Sequence, residues 1–394
     1  MDLTFSKEDE DFRSEFRSWL DTSLPQEMRT LAWWRPKSAA EQFQIRREWE
    51  AKKAEAGFCG IQWPTEYGGR GGTPTMKAIY DEEMAKANAP RTVNPLGLAF
   101  LAPTVMAIGT DEQKRDIIGP MLRTETIWCQ GFSEPGAGSD LAALQLKAQD
   151  QGDHWILNGQ KIWTTNAMHG DKIFTLARTG EGAKRHEGIS MLLVDMNQDG
   201  VEARPLKQIT GESEFGEVFY TDAVCPKTEV LGGEGNGWMT AMLLLSFERG
   251  SSAIGQYTEF KGQWDAVVDL ARKAPRGGGK AVDDPVIRQK LANSLVELEC
   301  LKYHSWHVLT QTSQGKDLGY EASMTKIMWS ETFRKVSDTY EAVLGASFQV
   351  DEAMGMTVEE LTTLALWSRS CTIWGGSQQV QRTIVAERVL GLPR

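Results

Sequence analysis

Apolar and polar residues repeat with two different periods along this chain, and the period changes twice. Up to about residue 125, apolar positions recur every three or four residues. Ser6 and Asp9 form an N-cap pair ahead of Phe12, Phe16, Trp19 and Leu20, and Pro25 ends that helix. A second amphipathic helix spans about Ala39 to Ala56 and closes at Gly57. After a Gly- and Pro-rich loop, Thr75 to Asn88, the apolar Asn94 to Ile108, and Asp111 to Leu122 complete a helical segment, residues 1–125.

From 126 to 232 the period shortens to two. His154–Leu157, Lys172–Ala177, Ile189–Val194 and Val218–Tyr220 are short alternating or apolar runs, punctuated by turns at Asn158-Gly159 and Asp199-Gly200. This pattern predicts an antiparallel β domain of barrel or sandwich type. Gly232 to Gly237 then forms a linker. It is no dinucleotide fingerprint, because Trp238 stands where the last glycine of G-x-G-x-x-G belongs. Four helices follow within 233–394: about Trp238 to Ala271, Pro285 to Gly315, Tyr320 to Leu344 and Leu361 to Leu390. Asp284-Pro285 is an N-cap and first-turn pair, and four long helices on short connections predict a bundle. The fold class is α+β: helical domain, β domain, four-helix bundle.

With 394 residues, 41% hydrophobic and 25% charged, the chain has ample core for two or three domains. Its net charge of −11 argues against nucleic acid and against an anionic membrane surface as partners. The five cysteines are scattered, odd in number and never spaced C-x-x-C, which points to reduced thiols in a cytoplasmic compartment. The acidic first residues carry no apolar signal region, and no apolar run reaches membrane-spanning length. Cys300, His304 and His307 share a helical face, but no fourth ligand accompanies them, so no metal site is expected.

The chemistry concentrates between Trp128 and Asn166. The first half, Trp128-Cys129-Gln130-Gly131-Phe132-Ser133-Glu134-Pro135-Gly136-Ala137-Gly138-Ser139-Asp140, is a loop of glycines, hydroxyls and free backbone N–H groups. It can approach a planar ring or a phosphate closely. The second half, Leu157-Asn158-Gly159-Gln160-Lys161-Ile162-Trp163-Thr164-Thr165-Asn166, is an Asn-Gly turn followed by a β run with alternating faces. Trp163 with two threonines offers a flat apolar wall and two hydroxyls, a combination suited to a flavin ring.

At these residues the sequence closely resembles the acyl-CoA dehydrogenase family. The resemblance extends over nearly the whole chain, through Trp63-Pro64-Thr65-Glu66-Tyr67-Gly68-Gly69, Gly109-Thr110-Asp111-Glu112-Gln113-Lys114 and Gly375-Gly376-Ser377-Gln378-Gln379-Val380-Gln381-Arg382. It implies an FAD enzyme that removes an α-proton and a β-hydride from an acyl-CoA, giving a trans-2-enoyl-CoA, with flavin N5 taking the hydride. By resemblance, Gln130, Phe132 and Ser133 face the flavin pyrimidine, Trp163 stacks on the isoalloxazine, and Thr164 and Thr165 bond near N5 and the phosphates. Ser139 lies on the acyl-CoA side, and Ser377 and Gln379 reach the adenosine half.

The family's usual catalytic carboxylate stands where this chain has Gly375, which retains only a backbone N–H for the thioester oxygen. Some branches carry the base on the first bundle helix before an arginine, which maps it to Glu248, with Arg249 beside it to orient the carboxylate and meet the substrate. That branch resembles enzymes acting on steroid or other cyclic acyl-CoAs. Two further family elements differ. Gly279 to Pro285 replaces an Arg-x-x-Phe-Gly element whose arginine meets the FAD pyrophosphate across a subunit interface, and Glu341 to Ala346 replaces a Gln-x-x-Gly-Gly element. The resemblance implies electron-transfer flavoprotein as acceptor and a homodimer or homotetramer, alternatively a heterotetramer with a paralogue. An acyl-CoA oxidase, and a partner subunit that completes a paralogue's FAD pocket, remain as alternatives.

Overall fold

The computed structural model describes residues 4–180, 185–247, 253–316, 318–319, 321–350, 352–353, 356–357 and 359–393. In chain order the main helices are α1 (Lys7–Ser23), α2 (Ala39–Glu55), α3 (Pro74–Lys86), α4 (Asp111–Leu122), α5 (Gly237–Phe247), α6 (Ala253–Ala271), α7 (Pro285–Ser313), α8 (Glu321–Leu344), α9 (Glu359–Ser370) and α10 (Gln378–Ile384). The strands of the main sheet are β1 (Trp128–Gly131), β2 (Lys147–Asp150), β3 (His154–Thr165), β4 (Lys172–Arg178), β5 (Ile189–Asp195), β6 (Val201–Pro205), β7 (Phe215–Pro226) and β8 (Val230–Leu231). Contacts group the chain into two compact units. One gathers Met1–Pro36, Thr73–Pro90 and Arg249–Arg394; the other gathers Lys37–Gly72 and Arg91–Glu248.

The first unit is helical. Ser6 and Asp9 cap α1 reciprocally, as expected, and Phe12, Phe16 and Leu20 are its buried stripe. Asp284 caps α7 through the N–H groups of Val286 and Ile287, with Pro285 in the first turn. Helices α6 to α9 enclose an apolar core in which Phe260 and Phe333 stack at 4.7 Å. The helix expected over 361–390 is broken. Helix α9 stops at Ser370, and Gly375 and Gly376 take φ values of +66° and +88° before α10 begins. Left-handed backbone of that kind ends a helix and suits glycine. The helix expected from Trp238 to Ala271 is seen as α5 and α6, with residues 248–252 outside the described set.

In the second unit an eight-stranded sheet runs in the order β6-β7-β3-β2-β4-β5-β8, and β1 pairs with β4. The long pairings β3–β7, β4–β5 and β6–β7 are antiparallel, as expected. The β1–β4 pairing is parallel, and a single parallel pair, Lys147 with Arg178, joins β2 to β4. The domain is therefore mixed where the sequence predicted antiparallel pairing throughout. The excursion through β2 and β3 is long enough to return β4 alongside β1 in the same direction.

The Asn158-Gly159 pair is not a hairpin turn. It lies inside β3 at a register shift, where Asn158 and Asp222 exchange two hydrogen bonds of 2.9 and 3.0 Å across to β7. Gly159 is needed for closeness: a Cβ there would sit 2.9 Å from Leu146 Cδ1 and 3.1 Å from its Cα. Buried Trp155 and Leu157 alternate along β3 toward the sheet core.

Candidate active site

β1 delivers the glycine loop. Trp128 and Cys129 are buried and Gln130 is half-buried. Asn94 sets the strand's entry: its side-chain oxygen accepts from Trp128 N–H at 3.0 Å while its amide donates to Thr126 O at 3.0 Å. Gly131 passes Thr175 so closely that a Cβ would meet its hydroxyl oxygen at 2.7 Å, and that hydroxyl donates to Gly131 O at 2.8 Å. The Phe132 side chain is buried edge-on against Phe174, with ring centres 5.9 Å apart. It contributes to any ligand through its backbone. Ser133 is half-buried, and its N–H has no acceptor among the described residues. A Cβ on Gly136 or Gly138 would touch nothing within 4 Å, so this part of the loop stands clear of its surroundings. Ser139 is exposed.

The end of β3 carries the second half. Lys161 points inward and is 0% exposed, whereas Trp163, two residues on, is 55% exposed. Strict alternation would put both on one face. A register shift between Lys161 and Thr164 breaks it, and Trp163 takes a φ of +60°, rare for a bulky residue. The bulge turns the indole outward, against the edge of Phe215 at 6.1 Å. Thr165 reaches the surface in part, but Thr164 is fully buried, and its hydroxyl has no partner among the described residues. The sequence pattern anticipated a flat wall here and missed the bulge that makes it.

Between the two halves lies a buried ion pair. Lys161 Nζ donates to Glu134 Oε1 at 2.8 Å and to Phe132 O at 3.1 Å. The Glu134 carboxylate also accepts from Gln145 N–H at 2.6 Å and Leu146 N–H at 2.8 Å. Ile162 N–H donates to Ser133 O at 2.9 Å. Burial pushes the Lys161 ammonium down to about 8, against the pull of Glu134. Neither residue was singled out from the sequence. The signal in the sequence is Lys161 itself, a cation inside a β-forming run beside Ile162 and Trp163, where an inward position needs a carboxylate.

The helical unit holds the other expected residues. Lys326, buried on α8, donates to Cys371 O at 2.7 Å and lies between the Trp329 and Trp374 rings. It thereby fixes the turn after α9. Gly375 O accepts from Gln381 Nε2 at 3.2 Å, and Gly375 N–H has no acceptor among the described residues. Ser377 is the N-cap of α10, its hydroxyl accepting from Val380 N–H at 3.4 Å, and Gln379 is exposed. Glu248 and Arg249 lie outside the described residues. His304 Nε2 bonds Thr325 Oγ1 at 2.8 Å, and Cys300 is exposed. Among the described residues no three His, Cys, Asp or Glu side chains converge as a metal site would require. No described helix is long and apolar enough to cross a membrane.

The glycine loop and the turned-out Trp163 suit a planar, partly polar ring. The outward N–H of Ser133 can meet its polar edge and the indole can cover its face. Comparison with known proteins carries this further. Family models for the acyl-CoA dehydrogenase N-terminal, middle and C-terminal domains match residues 6–125, 129–223 and 235–390. The acyl-CoA dehydrogenase IpdE1 of Mycobacterium tuberculosis is 40% identical over 392 residues, covering 98% of each chain. Among solved structures, the ChsE4–ChsE5 complex of Mycobacterium tuberculosis aligns with a TM-score of 0.85 at 29% identity over 100% of both chains. The Tcur3481–Tcur3483 steroid acyl-CoA dehydrogenase aligns with a TM-score of 0.85 at 28% identity, again over 100% of both. Three domain models in order and full-length relatives agree: the chain belongs to the acyl-CoA dehydrogenase family, whose members are flavin-dependent oxidoreductases.

Proposed function

We propose that this chain binds FAD and dehydrogenates an acyl-CoA thioester to its trans-2-enoyl-CoA, with Glu248 as the base. The observation that carries this reading is the exposed Trp163, held on a strained bulge beside a glycine loop whose Ser133 N–H has no protein acceptor among the described residues. Bulky residues at positive φ cost free energy and persist where a ligand uses them. A bound flavin supplies the acceptor for the β-hydride. The chain's own residues do the rest. Glu248 takes the weakly acidic α-proton, and Arg249 orients the carboxylate. The Gly375 N–H donates to the thioester oxygen as negative charge grows there. Gln130, Phe132 and Ser133 hold the flavin's polar edge, with Trp163 on its face and Thr165 at its rim. Ser139 lies on the acyl-CoA side, and Ser377 and Gln379 face the adenosine half. Electrons leave to electron-transfer flavoprotein in a cytoplasmic setting.

A second reading, in which the chain works as one half of a hetero-oligomer, rests on Gly279 to Pro285. The stretch opens on a short hairpin, Pro275–Arg276 paired with Gly279–Lys280, whose arginine, Arg276, is already tied to Asp284 at 2.5 Å and to Ala342 O at 3.0 Å. A guanidinium so engaged is poorly placed to meet a pyrophosphate. The two solved relatives named above, ChsE4–ChsE5 and Tcur3481–Tcur3483, each carry two protein names, and the second is a steroid enzyme. A bulky cyclic acyl-CoA follows as the substrate class.

Both readings are tested by anaerobic titration of the purified chain with straight, branched and cyclic acyl-CoAs, following visible flavin absorbance beside Glu248→Gln. The first reading expects wild-type flavin to bleach with one of the thioesters, and the variant to bind the thioester without bleaching. Bleaching that survives in the variant moves the base elsewhere. A colourless chain that gains flavin only with a second subunit supports the hetero-oligomer.

A further inference from the structure

Two charges buried under the glycine loop need an account that packing does not supply. Removing an ammonium and a carboxylate from water costs several kcal/mol each, and an apolar pair of the same volume is often as stable or more so. Here the pair is also hydrogen-bonded at both ends. Glu134 accepts from Lys161 and from two backbone N–H groups, and Lys161 spends a second proton on Phe132 O.

That second bond has a directional consequence. In a trans peptide the carbonyl and the following N–H point opposite ways. Lys161 draws the Phe132 carbonyl into the sheet, so the Ser133 N–H is turned away from it. One residue on, Ile162 N–H takes the Ser133 carbonyl at 2.9 Å, which fixes the next peptide as well. The two clamps come from Lys161 and Ile162, immediately before the bulge that throws Trp163 outward. One segment of β3 therefore orients both the loop's free N–H and the aromatic wall. Gly131 and Thr175 lock the loop's other end.

We propose that Glu134 and Lys161 are positioning residues of the flavin site: their ion pair holds the Phe132–Ser133 peptide with its N–H aimed at the flavin edge. This rests on the functional reading above, since it assumes a flavin beside Ser133 and Trp163. An apolar replacement could fill the same volume but could not hold the Phe132 carbonyl.

Apoprotein is titrated with FAD, reading both flavin emission and the visible difference spectrum. The wild type is compared with Lys161→Met, Glu134→Gln and the double variant. Each single variant is expected to weaken FAD at least about tenfold, or 1.4 kcal/mol. The visible band of the flavin it does bind is expected to shift, because the donor at its edge has moved. The double variant leaves no unpaired buried charge, so it folds even if a single variant does not. It is expected to bind FAD better than either single variant yet below wild type, with the band still shifted. A folded double variant with wild-type affinity and spectrum overturns the positioning role and leaves the functional reading standing. A wild-type chain that takes no flavin, alone or with a partner subunit, overturns the functional reading instead.

Discussion

The Lys326 ammonium lies 4.0 Å from the centre of the Trp374 ring and 4.2 Å from that of Trp329, while donating to Cys371 O at 2.7 Å. One buried cation thus ties a helix-ending turn to α8 by two different forces. The turn continues into Gly375, the backbone donor proposed for the thioester oxygen. Lys326→Met keeps the stem and removes the charge, leaving the Cys371 carbonyl without its donor. A loss of about 2–3 kcal/mol is expected from a charged hydrogen bond and a partly buried cation–π contact. Urea unfolding measures it. kcat/KM is expected to fall further than FAD affinity, because the damage sits at the substrate end. Wild-type stability in Lys326→Met would remove the turn's proposed anchor.

Trp163 separates function from stability. Its φ of +60° carries a cost of about 1–2 kcal/mol that glycine does not share. Among the described residues its ring meets the edge of Phe215, a contact worth about 1 kcal/mol. Trp163→Gly is therefore expected to change apoprotein stability by no more than about 1 kcal/mol, in either direction. FAD affinity is expected to drop at least about tenfold. Thermal unfolding of the apoprotein and FAD dissociation report the two separately. A large stability loss would make the indole a structural support rather than a ligand wall.

Much of this was legible from the residues in order. Ser6–Asp9 and Asp284–Pro285 announce their helices because capping is local chemistry. The runs at Lys172 and Ile189 announce their strands because alternation is local too. Features set by distant partners were not legible. The parallel pairing of β1 depends on where β4 returns, and the bulge at Trp163 depends on register with β7. The Glu134–Lys161 pair closes over 27 residues. Asn158-Gly159 looked like a turn because that dipeptide usually is one. Here β7 continues alongside and Leu146 leaves no room for a side chain. The break at Gly375 is marked in the sequence by two glycines alone, which the strong helical pattern on either side outweighs.

Acid stability of the helical unit is expected to depend on Glu83. Burial pushes its carboxyl up, but Arg17 and Arg13 more than offset that and carry it down to about 2. Arg17 grips both oxygens at 2.8 and 2.9 Å and Arg13 adds a third bond at 2.8 Å. A folded pKa below the unfolded value near 4.5 means the stabilisation is full above about 4.5 and is lost as pH falls toward 2. Glu83→Gln takes the carboxylate from half-exposed Arg17 and leaves Arg13 to Glu82, and is expected to cost about 1–3 kcal/mol at neutral pH. In acid titrations followed by circular dichroism, wild type and variant should converge below pH 4.5. Curves that stay parallel down to pH 2 would mean Glu83 is not the titrating group.

Alkaline pH is expected to act on Lys161 in two opposite ways. Burial lowers its folded pKa to about 8, while the unfolded chain keeps the ordinary value near 10.5. Between those limits the unfolded chain holds a proton that the folded chain has released. Stability contributed by this group therefore rises with pH from about 8 to 10.5, since the cost of a buried ammonium disappears. Over the same window the neutral amine loses its charge-assisted hold on Glu134 and Phe132 O, so the loop loosens and FAD affinity falls. A difference experiment isolates both effects. The urea midpoint and the FAD dissociation constant are measured from pH 7 to 10 for wild type and Lys161→Met. The wild type should gain stability relative to the variant from about pH 8 upward, while its advantage in FAD affinity falls with a midpoint near pH 8. Identical pH profiles in the two proteins would place the titration, and the clamp with it, on some other group.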